Sequence, residues 1–135
     1  MRPLSILQLA ALALALSIAG PHTAASAAGY VNNGETWLAM PPVARQGYAQ
    51  GINDAANQIY PTDDVGAAAV KLGRTRCLID QKTTSAILAD RITMAYTNEP
   101  AFKNLPPTIV YFAKMSQFCR EHIARERERM GLPPG

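Results

Sequence analysis

The side chains best suited to reactive chemistry are two cysteines and a histidine, Cys77, Cys119 and His122. Cys119 and His122 lie three residues apart in the stretch FCREH, a spacing that places both on one face of a helix. A thiolate with a histidine base could act as a nucleophile. The same groups are zinc ligands, although a zinc site usually takes three or four protein ligands. If the two cysteines pair with each other, both kinds of chemistry lose their sulfur.

Two arguments favour a disulfide between Cys77 and Cys119. We expect the helices that begin near Thr84 and near Pro107 to form an antiparallel hairpin, and their lengths of about 21 and about 20 Å match at 1.5 Å per residue. Cys119 then lies level with the start of the first helix, and Cys77 lies only a few residues before that start. An oxidising compartment outside the cytoplasm also favours pairing. We therefore predict this disulfide, no catalytic residue, no metal site and no cofactor.

The amino-terminal region has the three-part layout of a secretory signal peptide. Arg2 precedes an apolar run over about residues 4–19, and Ala25-Ser26-Ala27 offers a cleavage site. The run is shorter than the roughly 20 residues of a spanning helix, so we expect cleavage rather than an uncleaved anchor. We predict a signal peptide over residues 1–28 and one helical domain over residues 29–135, in the periplasm or secreted, with no membrane contact after cleavage.

Cleavage would also simplify the charge and the histidine count. It removes Arg2, which lowers the formal net charge from +3 to +2, and it removes His22, which leaves His122 as the only histidine. This balance lacks the strongly basic footprint of nucleic-acid binding, so we expect no nucleic-acid partner. About 107 residues suffice for one small domain with its own core.

Apolar residues recur at helical spacing in several segments, and no alternation is long enough to indicate a strand. The predicted fold class is all-α, a small bundle of about four helices. The first long helix starts at Pro42 and has a stripe that we expect to be buried: Val43, Gly47, Tyr48, Gly51, Ile52, Ala55, Ala56 and Ile59. Gly47 and Gly51 would then allow close approach of another backbone; the alternative is that they mark a frayed or kinked helix.

The remaining helices are bounded by turn residues. We predict a short helix over residues 65–72 that ends at Gly73, a second that starts at Thr83 or Thr84 and ends before Pro100, and a long third that starts at the Pro106-Pro107 pair. Its expected apolar face comprises Leu105, Ile109, Phe112, Met115 or Ser116, Cys119 and Ile123. We interpret the charged run REHIARERER as a solvated helix end rather than a binding patch, followed by a loose tail.

Three carboxylates remain as candidates for function. Asp63 and Asp64 could form a pair for metal or acid–base chemistry, but adjacent acids after a proline turn are more typical of a solvated loop. Asp54 could hydrogen-bond a neighbouring helix end, which we favour, or contact a ligand. The sequence has no phosphate-binding glycine loop, no nucleophile elbow and no HExxH motif. We therefore predict that the protein is not an enzyme.

A series of short motifs resembles the amidase-immunity family of type VI secretion, the Tai-like periplasmic helical proteins. In chain order these motifs are Trp37-Leu38, RQGYAQGINDA, Cys77, the Thr83-Thr84 helix start, NEPAFKNLPP and SQFC. The resemblance covers about residues 36–119. It implies a signature helix with Gly47, Tyr48, Gly51, Asp54 and Ala55, and a disulfide shared through Cys77 and Cys119.

One feature of that family is absent. Relatives often carry a second cysteine pair, and the corresponding places here hold Met40 and Arg45. We therefore expect the first segment to be held by the packing of Trp37 and Leu38 alone.

The resemblance implies a periplasmic protein-binding module that blocks a cell-wall amidase, with the connection YPTDDVGAAAVKLGR as the expected contact surface. Its partner would be another protein, and a homodimer is also compatible with the sequence. The alternative is a periplasmic acid-stress chaperone of the single-disulfide helical type, which the stretch TWLAMPPVARQGYAQG also resembles. That group has its first cysteine near TWLAM, where this chain has none.

Overall fold

The structure, a computed structural model, describes residues 31–135, so the predicted signal peptide lies outside the described residues. Residues 31–135 form six α-helices, and a 3-10 turn at Pro100–Phe102 separates the fourth from the fifth. These helices are α1 (Gly34–Ala39), α2 (Pro42–Asn57), α3 (Val65–Asp80), α4 (Ser85–Asn98), α5 (Pro107–Phe118) and α6 (Arg120–Arg129). The described part of the chain contains no strand, and the all-α prediction is confirmed as a helical bundle with one disulfide.

The helices begin where the sequence supplies a cap or a proline. The side chains of Asn33, Asp64 and Thr84 each accept a hydrogen bond from a backbone N–H in the first turn of α1, α3 and α4. Such N-caps satisfy donors that the helix itself leaves free. The helices α2 and α5 start instead at Pro42 and Pro107, whose missing N–H costs nothing at that position.

A core between α1, α2, α4 and α5 forms around Trp37, which is fully buried. Its indole packs edge-on against Tyr48 at a centroid distance of 6.0 Å. The indole Nε1 donates a hydrogen bond to Thr93 Oγ1 on α4 at 3.0 Å. Trp37 therefore anchors the first segment as expected, but it is not helped by Leu38, which is 46% exposed. A hydrogen bond from the Gly34 N–H to the Lys103 carbonyl at 2.8 Å also holds this segment, so the two side chains do not hold it alone.

The helices α3 and α6 pack against each other over most of their length, and Gly73 lies at their closest approach. A Cβ at Gly73 would lie 2.5 Å from the Cα of Ile123 on α6. The prediction that Gly73 ends a short helix is wrong, because α3 continues through it to Asp80. The glycine allows two backbones to meet instead of terminating one.

The charged last helix is mostly the solvated end predicted for the run REHIARERER, but the prediction is wrong for one buried carboxylate. Glu126 on α6 is only 4% exposed. Its carboxylate accepts hydrogen bonds from Arg76 on α3 and from Arg129, the latter at 2.8 Å. Within the run, Glu121 and Arg125 also approach each other, at 4.0 Å. One acidic side chain of this run therefore helps to dock α6 on α3.

The buried sides of α2 and α5 differ from the predicted ones. In α2 the buried residues are Ala49, Ile52 and Ala56, while Gly47 and Gly51 are exposed, with no atom near a would-be Cβ. Neither expectation for these glycines holds, since α2 is continuous and no backbone approaches them. The buried residues of α5 are Pro107, Val110, Tyr111 and Met115.

Candidate interaction surface

The two cysteines form the predicted disulfide, with a Cα–Cα distance of 5.5 Å and both residues buried. Cys77 lies in the last turn of α3, not in a linker ahead of α4, and Cys119 is the junction between α5 and α6. The bond thus ties α3 to that junction. The imidazole Nε2 of His122 lies 3.0 Å from Asp80 Oδ2, so the histidine bridges the same two elements.

This arrangement braces the fold, because the sulfur atoms are joined to each other and the imidazole faces a carboxylate. Within residues 31–135, no three His, Cys, Asp or Glu side chains are grouped so that they could hold a metal ion.

The signature helix residues lie mostly on the outer side of α2. Gly47, Gly51, Asp54 and Ala55 are exposed, and Tyr48 is half-buried against Trp37. The carboxylate of Asp54 accepts hydrogen bonds from Gln50 Nε2 at 2.7 Å and from Asn53 Nδ2 at 3.4 Å, both on its own helix. The expectation that Asp54 bonds a neighbouring helix end is therefore wrong.

The end of α2 is held by Arg74, a residue that the sequence analysis did not single out. Its Nη2 donates to the carbonyl of Ala56 at 2.6 Å, and its Nε donates to Asn57 Oδ1 at 2.9 Å. Arg74 is buried, and this burial lowers its pKa. The guanidinium stays protonated and offsets the partial negative charge at a helix carboxyl end. The last turn of α2 has no basic residue of its own, so α3 supplies one.

A polar network continues from Arg74 to the buried phenol of Tyr111. The Tyr111 hydroxyl donates to Asn53 Oδ1 at 2.8 Å and accepts from Asn57 Nδ2 at 3.3 Å. Burial raises the pKa of Tyr111, so the phenol remains a donor at neutral pH. The network joins α2, α3 and α5. The only feature of the sequence that indicates this network is the i, i+4 spacing of Asn53 and Asn57.

The adjacent acids have separate structural roles and form no carboxylate pair. Asp63 accepts hydrogen bonds from Lys71 Nζ at 2.7 Å and from the Tyr60 N–H at 2.8 Å. The bond from Lys71, followed by that from Tyr60, lowers the pKa of Asp63. Asp64 accepts from the Ala67 N–H at 2.7 Å as the cap of α3.

Three large apolar side chains are defined together as the apolar face of α5: Leu105 just before the helix, and Ile109 and Phe112 on its outer side. They are 36%, 49% and 41% exposed. Ile109 and Phe112 are three residues apart on α5, so they lie along one side of the helix. The sequence analysis predicted this stripe as buried. Contiguous exposed apolar surface of this kind marks interaction sites in soluble proteins.

The apolar face of α5 lies close to the end of α2. The Phe112 ring lies over the Arg74 guanidinium, with the Cζ atom 5.1 Å from the ring centroid, and Arg74 in turn contacts the last turn of α2. The predicted contact segment begins just after that turn. Most of that segment is helix α3, and only its residues 60–64 belong to the connection between α2 and α3. In this connection, residues 58–64, Ile59 and Tyr60 are 47% and 44% exposed.

A second surface feature is the α4–α5 groove, with a volume of about 390 Å³. The side chains that line it and bear on function are Arg91, Met94, Glu99, Lys114 and Phe118. Arg91 stacks on Phe118, with its Cζ atom 3.6 Å from the ring centroid. At the other end of the groove, Lys114 pairs with Glu99 at 2.6 Å.

Comparisons of the chain with protein-family models, with curated proteins and with solved structures find no match. Among the helices of the described region, none combines the length and the apolar character that crossing a membrane requires.

Proposed function

We propose that the protein is an exported, non-catalytic protein-binding module that acts like the amidase-immunity proteins it resembles, by covering the active site of a cell-wall amidase. The observation that carries the binding function is the apolar face of α5. Three large apolar side chains that are 36%, 49% and 41% exposed at the start of α5 are costly to leave in water, and a partner surface would bury them.

Three further observations support the proposal. The buried disulfide is typical of proteins that mature outside the cytoplasm. The pairing of Cys77 with Cys119 occupies the thiols that a cysteine nucleophile would need. The series of motifs from Trp37 to Cys119 supplies the link to the amidase-immunity family.

The test is complex formation with cell-wall amidases, in particular any encoded beside this chain. Co-expression with the cognate amidase should yield a stable complex and protect the host from lysis. Ile109→Asp should weaken binding by about tenfold or more, since it places a charge in an apolar contact. The matched control is Val43→Asp on α2, where the valine is 75% exposed. If no amidase forms a complex, or if Ile109→Asp binds as well as Val43→Asp, the proposal fails.

The acid-stress chaperone is the second candidate, and the packing of α6 on α3 favours it. Two carboxylates connect these helices: Glu126 pairs with Arg76, and Asp80 pairs with His122. If these attractions are lost at about pH 2–3, where such a chaperone would act, release of α6 would uncover apolar surface. A chaperone should then bind a hydrophobic dye and suppress the aggregation of client proteins at that pH. Absence of both effects excludes this candidate.

A further inference from the structure

Arg91 carries a charge that the described part of the chain does not compensate. No carboxylate of residues 31–135 forms an ion pair with it. Its Nε is buried and donates no hydrogen bond within the same residues. Burial also lowers the pKa of Arg91, yet an arginine stays protonated at neutral pH. A half-buried cation without a carboxylate partner in the described residues therefore lines the α4–α5 groove.

The ring of Phe118 holds this guanidinium in a fixed plane. Stacking at 3.6 Å uses one face of the guanidinium and leaves the N–H groups along its edge directed away from the ring. A guanidinium that is already held in this way loses little additional conformational freedom when a ligand binds. Its fork of donors matches the two oxygens of a carboxylate. The geometry is that of a preformed carboxylate receptor.

Of the two cations that line the groove, only Arg91 is available to bind a carboxylate. Lys114 is already engaged by Glu99 at 2.6 Å and by Gln117 Oε1 at 3.3 Å. The lining thus holds two cations and one carboxylate, with the excess positive charge at Arg91. Beside it, Met94 is 60% exposed and offers a flexible apolar contact.

We infer that the α4–α5 groove docks an acidic segment of a partner protein. A carboxylate of that segment forms a bidentate pair with Arg91, and a neighbouring apolar side chain packs on Met94 and Phe118. The inference rests on the proposed protein-binding function and names the chemistry of the partner. A volume of about 390 Å³ accommodates two or three side chains of such a segment.

The experiment uses a displayed library of random heptapeptides as the probe, so it needs no identified partner. The library is selected on the purified protein and, in parallel, on the variants Arg91→Gln and Arg91→Lys. Arg125→Gln is the matched control, because it removes the same charge from a side chain that is 51% exposed and lies outside the groove. Circular dichroism and thermal unfolding of each variant establish that the fold is kept.

Peptides enriched on the unmodified protein should contain Asp or Glu next to an apolar residue. A synthetic peptide of this set should bind Arg91→Gln about tenfold more weakly or worse, and Arg125→Gln without change. Arg91→Lys should also lose most of the affinity, because an ammonium cannot replace the planar fork. In an NMR titration the peptide should shift the signals of Arg91, Met94 and Phe118.

Three results would overturn the inference. They are peptides with no enrichment of acidic residues, binding that Arg91→Gln leaves intact, and N-acetylglutamate binding as tightly as the peptides, which would indicate a site for a small carboxylate. The amidase complex is measured separately. A protein that binds its amidase but shows one of these results keeps the proposed function and loses only this docking site.

Discussion

Gly73 on α3 and Ile123 on α6 bring two helix backbones into direct contact. A Cβ at position 73 would lie 2.5 Å from Ile123 Cα, 2.9 Å from Ile123 N and 3.1 Å from the carbonyl carbon of His122. All three neighbours are backbone atoms, which cannot rotate away as the end of a side chain can. The packing of α6 on α3 therefore depends on the absence of a side chain at this one position.

Gly73→Ala should destabilise the protein by about 1–3 kcal/mol, because the two helices must separate to admit the methyl group. Gly51→Ala is the matched control, since it is the same substitution in an exposed helical position with open space around it. It should stabilise the protein by about 0.5–1 kcal/mol through reduced backbone entropy of the unfolded chain. Urea denaturation of both variants measures the free energies of unfolding. Effects of the same sign would contradict the structure.

Local signals in the sequence predict the fold class, several helix ends and the disulfide. Pro42 and Pro107 begin helices because proline fits the first turn, and Thr84 begins one through its side-chain hydrogen bond. The disulfide was predicted from two cysteines, an expected export signal and matched helix lengths. Each of these features depends on a few neighbouring residues or on the compartment, so tertiary packing does not alter it.

The buried side of a helix could not be predicted where both sides fit an apolar pattern. In and just before α5, Leu105, Ile109 and Phe112 recur at steps of four and three residues. Pro107 likewise precedes Val110 by three residues and Tyr111 by four. Only the second set is buried. The choice depends on how α5 meets α2 and α4, which spacing within α5 does not encode. The apolar face of α5 therefore became visible only in the structure.

Gly73 was misread for a related reason. A single glycine in a helical pattern fits both a helix end and a close contact, and the sequence around it is the same in either case. Asn53, Asn57 and Arg74 were likewise not recognised as one network, since polar residues off the predicted stripe are usually solvated.

Removal of the disulfide should lower the stability substantially. The bond joins residues 42 apart in sequence, and closing a loop of that length stabilises a fold by about 4 kcal/mol in the chain-entropy model. The double variant Cys77→Ala/Cys119→Ala avoids leaving a reactive thiol. Its free energy of unfolding should fall by about 2–4 kcal/mol, and the unmodified protein should shift to the same extent after reduction. Mass spectrometry that finds two free thiols in the untreated protein would contradict the bond.

The carboxylate of Glu126 should contribute to stability although it lies in a run of exposed charges. Glu126→Gln removes the charge that Arg76 and Arg129 share, while the side chain keeps its size. We expect a loss of about 1–2 kcal/mol, because the acceptor is buried but both arginines are partly solvated.

Glu121→Gln on the same helix is the control, because its side chain is 88% exposed and its nearest cation, Arg125, is 4.0 Å away. Its effect should stay within about 0.5 kcal/mol. Thermal unfolding compares the two variants, and equal effects would place Glu126 in solvent.

Asp63 should make the protein less stable in acid through its bond with Lys71. The pKa of Asp63 in the folded state is lowered, first by the Lys71 side chain and then by the Tyr60 N–H, whereas the unfolded chain has the ordinary value of about 3.9. Between these two values the unfolded state binds more protons. The stabilisation is therefore fully present above about pH 4 and is lost as the pH falls through the folded pKa.

Lys71→Met should raise the pKa of Asp63 toward its ordinary value and reduce this acid-dependent loss of stability. Carboxyl NMR titration reports the pKa, and denaturation at several pH values between about 2 and 6 reports the slope. Lys103→Met removes the same charge from an exposed residue that does not contact Asp63. It should leave both quantities unchanged, because the shift depends on a hydrogen bond at 2.7 Å rather than on net charge. A matching change in both variants would show that long-range charge, not this contact, controls the titration.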